Sequence, residues 1–488
     1  MKPDVLIIGS GMGGATVAAA LADTGRPILI VERGEQLPDS DHARDPQAIF
    51  GAGHFRSPEE WLDGEGKPFN ARMFYYVGGS TKFYGAVLLR YRAEDFRPMR
   101  HLGGKTPGWP VTYDEYEPWY TRAEALFQVR GAAGEDPTEP PRSAPYPYPP
   151  VPDEAEIADV RRRLRGIGLH PSSLPLGVDI ARWLERGQHP WDGFPDTRSG
   201  KMDAETILLT RALERSNVEL ATRTRVRRLV ADQDGNVTGA VVERNGKAEL
   251  IEAGTVVLAA GAVNSAAILL ASGLANSSDQ VGRNFMNHNC SAVLAVHPWR
   301  HNRSIYQKTL MVNDFYLRGG PDDMPLGNIQ LLGRVSRPIL KITSGLPGWL
   351  AGPIADRAVD FYAMSEDLPS PDSRVTLKGE QIVLNWPRSN WETHLALVAK
   401  LKSVLRKAGF PIVLSKPFDR ATPSHQCGTA RMGNDPRTSV VDPWGRSHDH
   451  PNLWVADASV LPTSAAVNPA LTVAAHALRV GHAIAEAA

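Results

Sequence analysis

A chain of 488 residues, 42% hydrophobic and 22% charged, has the length for two or three domains and the apolar residues for a sizeable core. Its 54 Lys plus Arg balance its 54 Asp plus Glu, so no basic excess argues for nucleic acid or an anionic membrane surface as partner. Two cysteines, Cys290 and Cys427, give neither a disulfide framework nor a metal-binding spacing, and suit a reducing, cytoplasmic setting. No signal-peptide pattern precedes the first apolar run. The most apolar long stretch, Thr255–Ala275, is broken by Gly261, Asn264 and Ser265, and reads as a buried strand turning into a helix rather than a membrane span.

Val5–Ile8 is a short β-branched run, followed by Gly9, Gly11 and Gly14 in G-x-G-x-x-G, with Gly13 as a fourth glycine. Ala15–Leu21 is helix-prone and stops near Gly25, a C-cap signal. Ile28–Val31 is the next strand, closed by Glu32. Strand, glycine turn, helix, strand and acid at this spacing form a dinucleotide fingerprint. Its glycines let the backbone approach a pyrophosphate at a helix N-terminus, and Glu32 is placed to accept from a ribose hydroxyl. The fingerprint alone does not choose between NAD and FAD.

Residues 35–70, polar and rich in Gly, Pro and Asp, read as surface loops. Val77–Arg92 is a glycine turn leading into an apolar segment. Thr112 starts a helix whose Tyr113, Tyr116, Trp119 and Tyr120 fall near one face and read as packing. The Pro-rich 134–153 stretch is a linker or a wrapping loop. Residues 154–168 and 203–216 read as helices, the first with a solvated basic face at Arg161–Arg163 and Arg165. Val218–Leu220, Val226–Val230 and Val237–Glu243 are short strands with a turn at Asp234-Gly235. Ala248–Ile251 and Thr255–Ala260 continue the pattern, and a helix follows at Ser265–Ser272.

Strand-like runs at Ala292–Val296, Asn328–Gly333, Arg374–Leu377 and Ile382–Trp386 predict an antiparallel sheet in a second domain. Gly345–Ile354 is apolar and Gly/Pro-rich, as a lid or a subunit contact would be. Glu392–Ala408 and Thr472–Ala487 are helices. His448, Asp449 and His450 lie in a Pro-bounded loop without further ligands, so no metal is expected there.

The region from Ser424 to Gly481 (SHQCGTARMG through AAVNPALTVAAHALRVG) resembles the C-terminal signature of the glucose–methanol–choline (GMC) flavoprotein oxidoreductases. The N-terminal fingerprint, VGGSTKFYGAVLLR at 77–90, AGAVNSAAILLASG at 260–273 and VGRNFMNHN at 281–289 resemble four further segments of that family, in the same order. The resemblance implies FAD rather than NAD. It also implies an α/β fold: a Rossmann-like FAD-binding domain built from residues 1–45, 200–287 and 420–488, and an α+β substrate domain with an antiparallel sheet from residues 46–199 and 288–419. By the same resemblance His425 stands at the catalytic histidine position and Asn468 at the paired His/Asn position. Alcohol oxidation needs a base for the hydroxyl proton while hydride leaves carbon. Histidine, with an ordinary pKa of about 6.5, meets that need, and Asn468 can hydrogen-bond the developing alkoxide.

The cofactor positions so implied are Gly9, Gly11, Met12, Gly13, Gly14, Glu32 and Arg33 in the fingerprint; Gly79, Ser80, Tyr84 and Gly85 in the covering loop; Val226, Ala260 and Gly261 in the middle; and Asp457, Ala458, Pro469 and Thr472 near the end. Some family members hold FAD through a histidine in the covering loop. Here Ser80, Thr81, Lys82, Phe83 and Tyr84 stand there, so non-covalent FAD is expected. The similarity is greatest to bacterial members related to pyranose oxidases and glycoside 3-oxidases, which implies a secondary alcohol on a sugar or glycoside, with oxygen or a quinone-like acceptor taking the electrons. The alternative is a dehydrogenase for a non-sugar alcohol (a polyol, sterol or aromatic alcohol) that hands its electrons to a carrier; a non-catalytic flavin-binding protein is a further reading, against which the His425–Asn468 pair argues. Gln330, Asn385 and Gln426 are the polar candidates for substrate hydroxyls.

Overall fold

The computed structural model describes residues 3–185, 191–419 and 424–487. At its centre is a five-stranded parallel sheet. Val5–Ile8 lies in the middle, between Ile28–Val31 and Thr255–Leu258, with Val218–Ala221 and Leu453–Val455 at the edges. Segments far apart in sequence therefore build one Rossmann-like unit. Its inner strands are runs such as VLII and TVVL, because a parallel sheet is covered on both faces and has no polar side to alternate with. The Met12–Leu21 helix leaves the first strand and packs along the Ala470–Glu486 helix, with Gly481 bringing the two into close approach at Ala20.

Beside it stands a six-stranded antiparallel sheet in the order Ile412–Pro417, Asn289–Val296, Ala358–Ser365, Asn328–Leu331, Leu310–Val312, Ser172–Ser173. Its two faces differ in chemistry. Val293, Ile329, Leu331, Phe361 and Ala363 pack with Leu397, Leu401 and Leu405 of the Trp391–Lys407 helix. The alternate residues Asn328, Gln330, Asp360, Tyr362 and Met364 point the other way, on the face that carries Gln330 to Asn468 of the terminal segment, and all are buried. Ala358–Ser365, in the body of this sheet, was not predicted. Being buried on both faces, with Asp360 in its middle, it shows neither clean alternation nor an unbroken apolar run.

The predicted three-stranded unit forms as Thr224–Ala231, Val237–Arg244 and Lys247–Glu252. Residues 35–70 are less irregular than expected: Glu60–Asp63 and Pro68–Asn70 pair with each other, and the former joins Gln381–Asn385. The predicted 203–216 helix is instead a π-helical turn, Glu205–Leu209, followed by a single α-turn. The Thr112 helix forms with a reciprocal Thr112–Glu115 cap, and Tyr113, Tyr116 and Tyr120 are buried. The Pro-rich segment wraps the body of the protein. Its Asp136 pairs with buried Arg92, and its Arg142 with Glu124, which also holds Arg90. The apolar 345–354 stretch makes the turn after one short helix, Arg337–Ser344, and most of the next, Gly348–Ala355. Among the described residues no helix is long and apolar enough to cross a membrane.

Candidate active site

The nucleotide end begins at the fingerprint turn. A Cβ on Gly13 would overlap the Ala456 carbonyl, and one on Gly14 the Gly9 carbonyl, so both are filled by backbone. Gly11 differs: the nearest atom to a Cβ there is Gly79 Cα at 3.8 Å, and at Gly261 nothing lies within 4 Å. These open glycines stand at the N-termini of the Met12–Leu21 and Ala262–Ser272 helices, where unpaired N–H groups and the helix dipole favour a pyrophosphate. The covering loop closes over the turn, with Gly78 N donating to Ser10 Oγ at 3.2 Å. The residues present thus fit a dinucleotide laid between Gly11 and Gly261.

Glu32 sits beside this groove. Its carboxylate accepts from Ser10 N, Ser10 Oγ and Gly34 N, at 3.1, 2.7 and 2.9 Å, with lone pairs remaining for a ribose hydroxyl. Arg33 stacks over the Tyr75 ring at 3.7 Å and pairs with Glu59, two neighbours that the sequence reading did not single out. Val226 is buried on the strand that begins with Thr224 donating to the Glu32 carbonyl.

Several predicted cofactor positions hold the frame rather than present a side chain. Asp457 accepts from Gly261 N at 2.9 Å, Ser265 Oγ at 2.5 Å and Ser459 N at 2.8 Å, so it ties the end of the Leu453–Val455 strand to the start of the Ala262–Ser272 helix. Tyr84 donates to the Met202 carbonyl, and Thr472 is hydrogen-bonded to Tyr120, away from the site. Ser80 is exposed. Gly85 is hemmed in by the buried Lys308–Asp192 ion pair, and Asp192 also accepts from Gly333 N.

The chemical end is built by two loops. The loop carrying His425 is held by reciprocal hydrogen bonds between Met286 and buried Cys427, and beyond it Gly428, Ala430 and Met432 donate to Ala458, Ser459 and Val460. His425 itself is in the left-handed region, φ +64°, which costs about 1–3 kcal/mol in a non-glycine residue and clusters at functional sites. The second loop, 464–468, hangs from the end of the 358–365 strand and its neighbours. Ala465 N donates to Glu366, Ala466 N to Tyr316 Oη, and Ser464 Oγ to the Asp367 carbonyl. It delivers Asn468 immediately before Pro469, the N-cap of the terminal helix.

There the two meet. Asn468 Nδ2 lies 3.2 Å from His425 Nε2, and Gln330 Nε2 donates to Asn468 Oδ1 at 3.0 Å. On its other side His425 Nδ1 lies 2.8 Å from His288 Nδ1, and His288 Nε2 lies 2.9 Å from the Ser464 carbonyl. Gln330, His288 and Ser464 are buried, whereas His425 and Asn468 are half-buried, so this pair is the most open part of the hydrogen-bonded chain. Burial holds the His425 imidazole well below its ordinary pKa, assisted by His288 and the Lys308 charge. Burial also lowers His288, to about 4.

Of the three predicted substrate contacts, Gln330 is in the site: one amide atom orients Asn468, and the other, Oε1, is buried without a hydrogen-bond partner. Gln426 is half-buried beside His425. Asn385 is a correction. It is exposed at the end of a strand in the smaller mixed sheet and donates to the Asp372 carbonyl, so a surface amide was mistaken for a site residue. The reading missed His288, Tyr362, Lys308 and Asp192. Tyr362 is paired in register with Gln330 and donates to Cys290 Sγ at 2.9 Å. His448 and His450 bond to Ser439 and to the Gly235 carbonyl, and among the described residues no three ligating side chains form a metal cluster.

The chain is similar to known proteins. Family models described as GMC oxidoreductase match residues 185–290 and 369–477, and one described as an NAD(P)-binding Rossmann-like domain matches residues 7–59. Among curated relatives, paromamine 6'-oxidase of Streptomyces fradiae is 29% identical, and 6'''-hydroxyparomomycin C oxidase of Streptomyces lividus is 28% identical. Each alignment covers 99% of this chain and 91% of the relative. The crystal structure of pyridoxine 4-oxidase from Mesorbium loti superposes with a TM-score of 0.67 at 19% identity, covering 99% of both chains, a likeness of fold.

Proposed function

From the premise that this chain belongs to the GMC oxidoreductase family, an enzyme family whose cofactor is a flavin, generally FAD, we propose that it oxidises a hydroxyl of a sugar or glycoside, with His425 as base and Asn468 as the group that orients the hydroxyl. The observation that carries this reading is the 3.2 Å approach of His425 Nε2 and Asn468 Nδ2 at the half-buried centre of an otherwise buried polar chain. A substrate hydroxyl taking the place of that contact donates its proton to Nε2 and accepts from Nδ2. Proton acceptor and alkoxide stabiliser are then one hydrogen bond apart. Asn468 does not titrate, and with its Oδ1 occupied by Gln330 it offers the hydroxyl its Nδ2 donor.

A bound FAD would supply the hydride acceptor. The N-terminus of the 17-residue terminal helix, beginning two residues after Asn468, adds positive potential where negative charge develops. The buried Gln330 Oε1 without a partner, and the Tyr362 hydroxyl in the same register, favour a substrate with more than one hydroxyl. The names of two aminoglycoside-oxidising relatives support the same choice. We take residues 1–45, 200–287 and 420–488 as the cofactor-binding half and place the protein in the cytoplasm, in keeping with two free, buried cysteines.

The test is anaerobic bleaching of the flavin absorbance by a panel of glycosides, free sugars with primary or secondary hydroxyls free, and simple alcohols, followed by reoxidation with oxygen or a quinone dye. Bleaching by sugars or glycosides at lower concentration than by simple alcohols is expected, and bleaching by simple alcohols alone would overturn the substrate class. Because residues 79–84 contain no histidine, acid precipitation is expected to leave the yellow colour in the supernatant. Colour retained in the pellet would show a covalent link.

A further inference from the structure

His288 is the neighbour of His425 that neither the sequence reading nor the family resemblance singled out. It is 4% exposed at the foot of the Asn289–Val296 strand, and both its ring nitrogens are committed. Nε2 faces the Ser464 carbonyl at 2.9 Å, and a carbonyl only accepts, so Nε2 carries a proton. Burial keeps the ring neutral through the physiological range, with its pKa lowered to about 4. A neutral imidazole has one proton, so His288 Nδ1 is a lone pair. The 2.8 Å contact between the two Nδ1 atoms then requires its proton on His425. With Nδ1 protonated and the His425 ring neutral, the remaining nitrogen, Nε2, is an acceptor, and it is the one that meets Asn468 Nδ2. Gln330 Nε2, by occupying Asn468 Oδ1, fixes the amide in the matching orientation.

We propose that His288 is a positioning residue which, anchored on the Ser464 carbonyl, holds His425 in the Nδ1–H tautomer and so leaves Nε2 unprotonated toward the substrate. The inference rests on the reading of His425 as the base. It adds that the direction of every hydrogen bond from Ser464 to Gln330 is set from the buried end. The other tautomer would put a proton on Nε2 facing the Asn468 donor and a lone pair facing the His288 lone pair, two repulsive contacts in place of two hydrogen bonds. The same arrangement serves the proton transfer: once Nε2 takes the hydroxyl proton, His425 is an imidazolium whose Nδ1–H donates more strongly to the same acceptor. Serine, tyrosine and acidic neighbours anchor the support rather than the base. Tyr91 Oη fills the second lone pair of the Ser464 carbonyl, and Asp367 N donates to Ser464 Oγ.

Two substitutions separate positioning from bulk. His288→Leu fills the volume and removes the acceptor; His288→Asn puts an amide oxygen near the place of Nδ1. In the flavin-loaded enzyme, single-turnover reduction by a bleaching substrate is expected to slow about 10–100-fold in His288→Leu, with the substrate concentration at half-maximal rate changed less than about threefold, and to recover to within about fivefold of wild type in His288→Asn. A readout independent of turnover is the ¹⁵N spectrum of histidine-labelled protein, with His425 assigned by its loss in His425→Gln. Wild type and His288→Asn are expected to show a pyridine-like Nε2 and a pyrrole-like Nδ1 at His425, and His288→Leu a mixture of tautomers. A pyrrole-like Nε2 in wild type overturns the proposal outright, and does so even if His288→Leu fails to fold. Equal rates for the Leu and Asn variants with an unchanged His425 tautomer would reduce His288 to packing. If no alcohol bleaches the flavin while the tautomer is as stated, the functional reading fails and the positioning survives.

Discussion

Replacing His425 by alanine is expected to leave flavin content and thermal unfolding near wild type while slowing flavin reduction by substrate about 10²–10⁴-fold, the usual contribution of a positioned general base. The variant should stay loaded because none of the groove lined by Gly11, Gly261 and Glu32 depends on the imidazole. It should remain folded because the 425 loop is held by backbone hydrogen bonds of Met286, Cys427 and Gly428, not by the side chain. Removing a side chain from φ +64° does not worsen the backbone. Rapid-mixing absorbance under anaerobic conditions measures the effect, and reduction within threefold of wild type would remove His425 from the reaction. The pH profile should agree. The base acts as the neutral ring, and burial lowers its pKa, so activity is retained as pH falls through about 6.5 and is lost only below it. An acid limb centred above pH about 7 would point to a different group.

Gly13→Ala is expected to be at least as damaging, by another route. The added methyl would overlap the Ala456 carbonyl, a backbone atom that cannot rotate aside. Ala456 follows directly on the Leu453–Val455 strand and leads into Asp457, which in turn holds Gly261 and Ser265. A shift there moves the sheet edge, the start of a helix and the cofactor groove together. Overpacking in a dense core costs about 1–3 kcal/mol or more, and here the site that must yield is main chain. Purified Gly13→Ala should unfold at a markedly lower temperature and carry little flavin. Gly166→Ala is the control. That glycine is exposed at the end of the Ala155–Gly166 helix and a Cβ there meets nothing within 4 Å, so stability should change by no more than about 1 kcal/mol, toward greater stability if at all. Equal behaviour of the two variants would contradict the close packing at Gly13.

What could be read from residues alone follows from how local the signal is. The fingerprint is legible because the turn, helix and acid lie within thirty residues and each has its own physical reason. The Thr112 cap and the Asp234-Gly235 turn are legible for the same cause. His425 and Asn468 were reached through family resemblance, since nothing in the spacing of two residues 43 apart says that they touch. The strand Ala358–Ser365 was hidden because one face meets a helix and the other a polar site, which erases alternation. Asn385 was misplaced because residue type does not say which way a side chain points. His288 lay within a segment recognised as a whole, VGRNFMNHN, whose individual members had been assigned no task. The Met286–Cys427 bridge and the Ser464 carbonyl place it against His425.

The parallel sheet has a consequence for how the protein is made. Val5–Ile8 has one flank covered by the nearby Ile28–Val31 but the other by the distant Thr255–Leu258, and the edge is finished by Leu453–Val455. During translation the first strand must therefore wait, half sheltered, while more than two hundred residues emerge. Asn468 and the helix that packs on Met12–Leu21 arrive later still. A nascent chain that has not yet reached them lacks the His425–Asn468 contact. Until Thr255–Leu258 arrives the first strand keeps an unpaired flank, the kind of edge that pairs with other chains when it is left open.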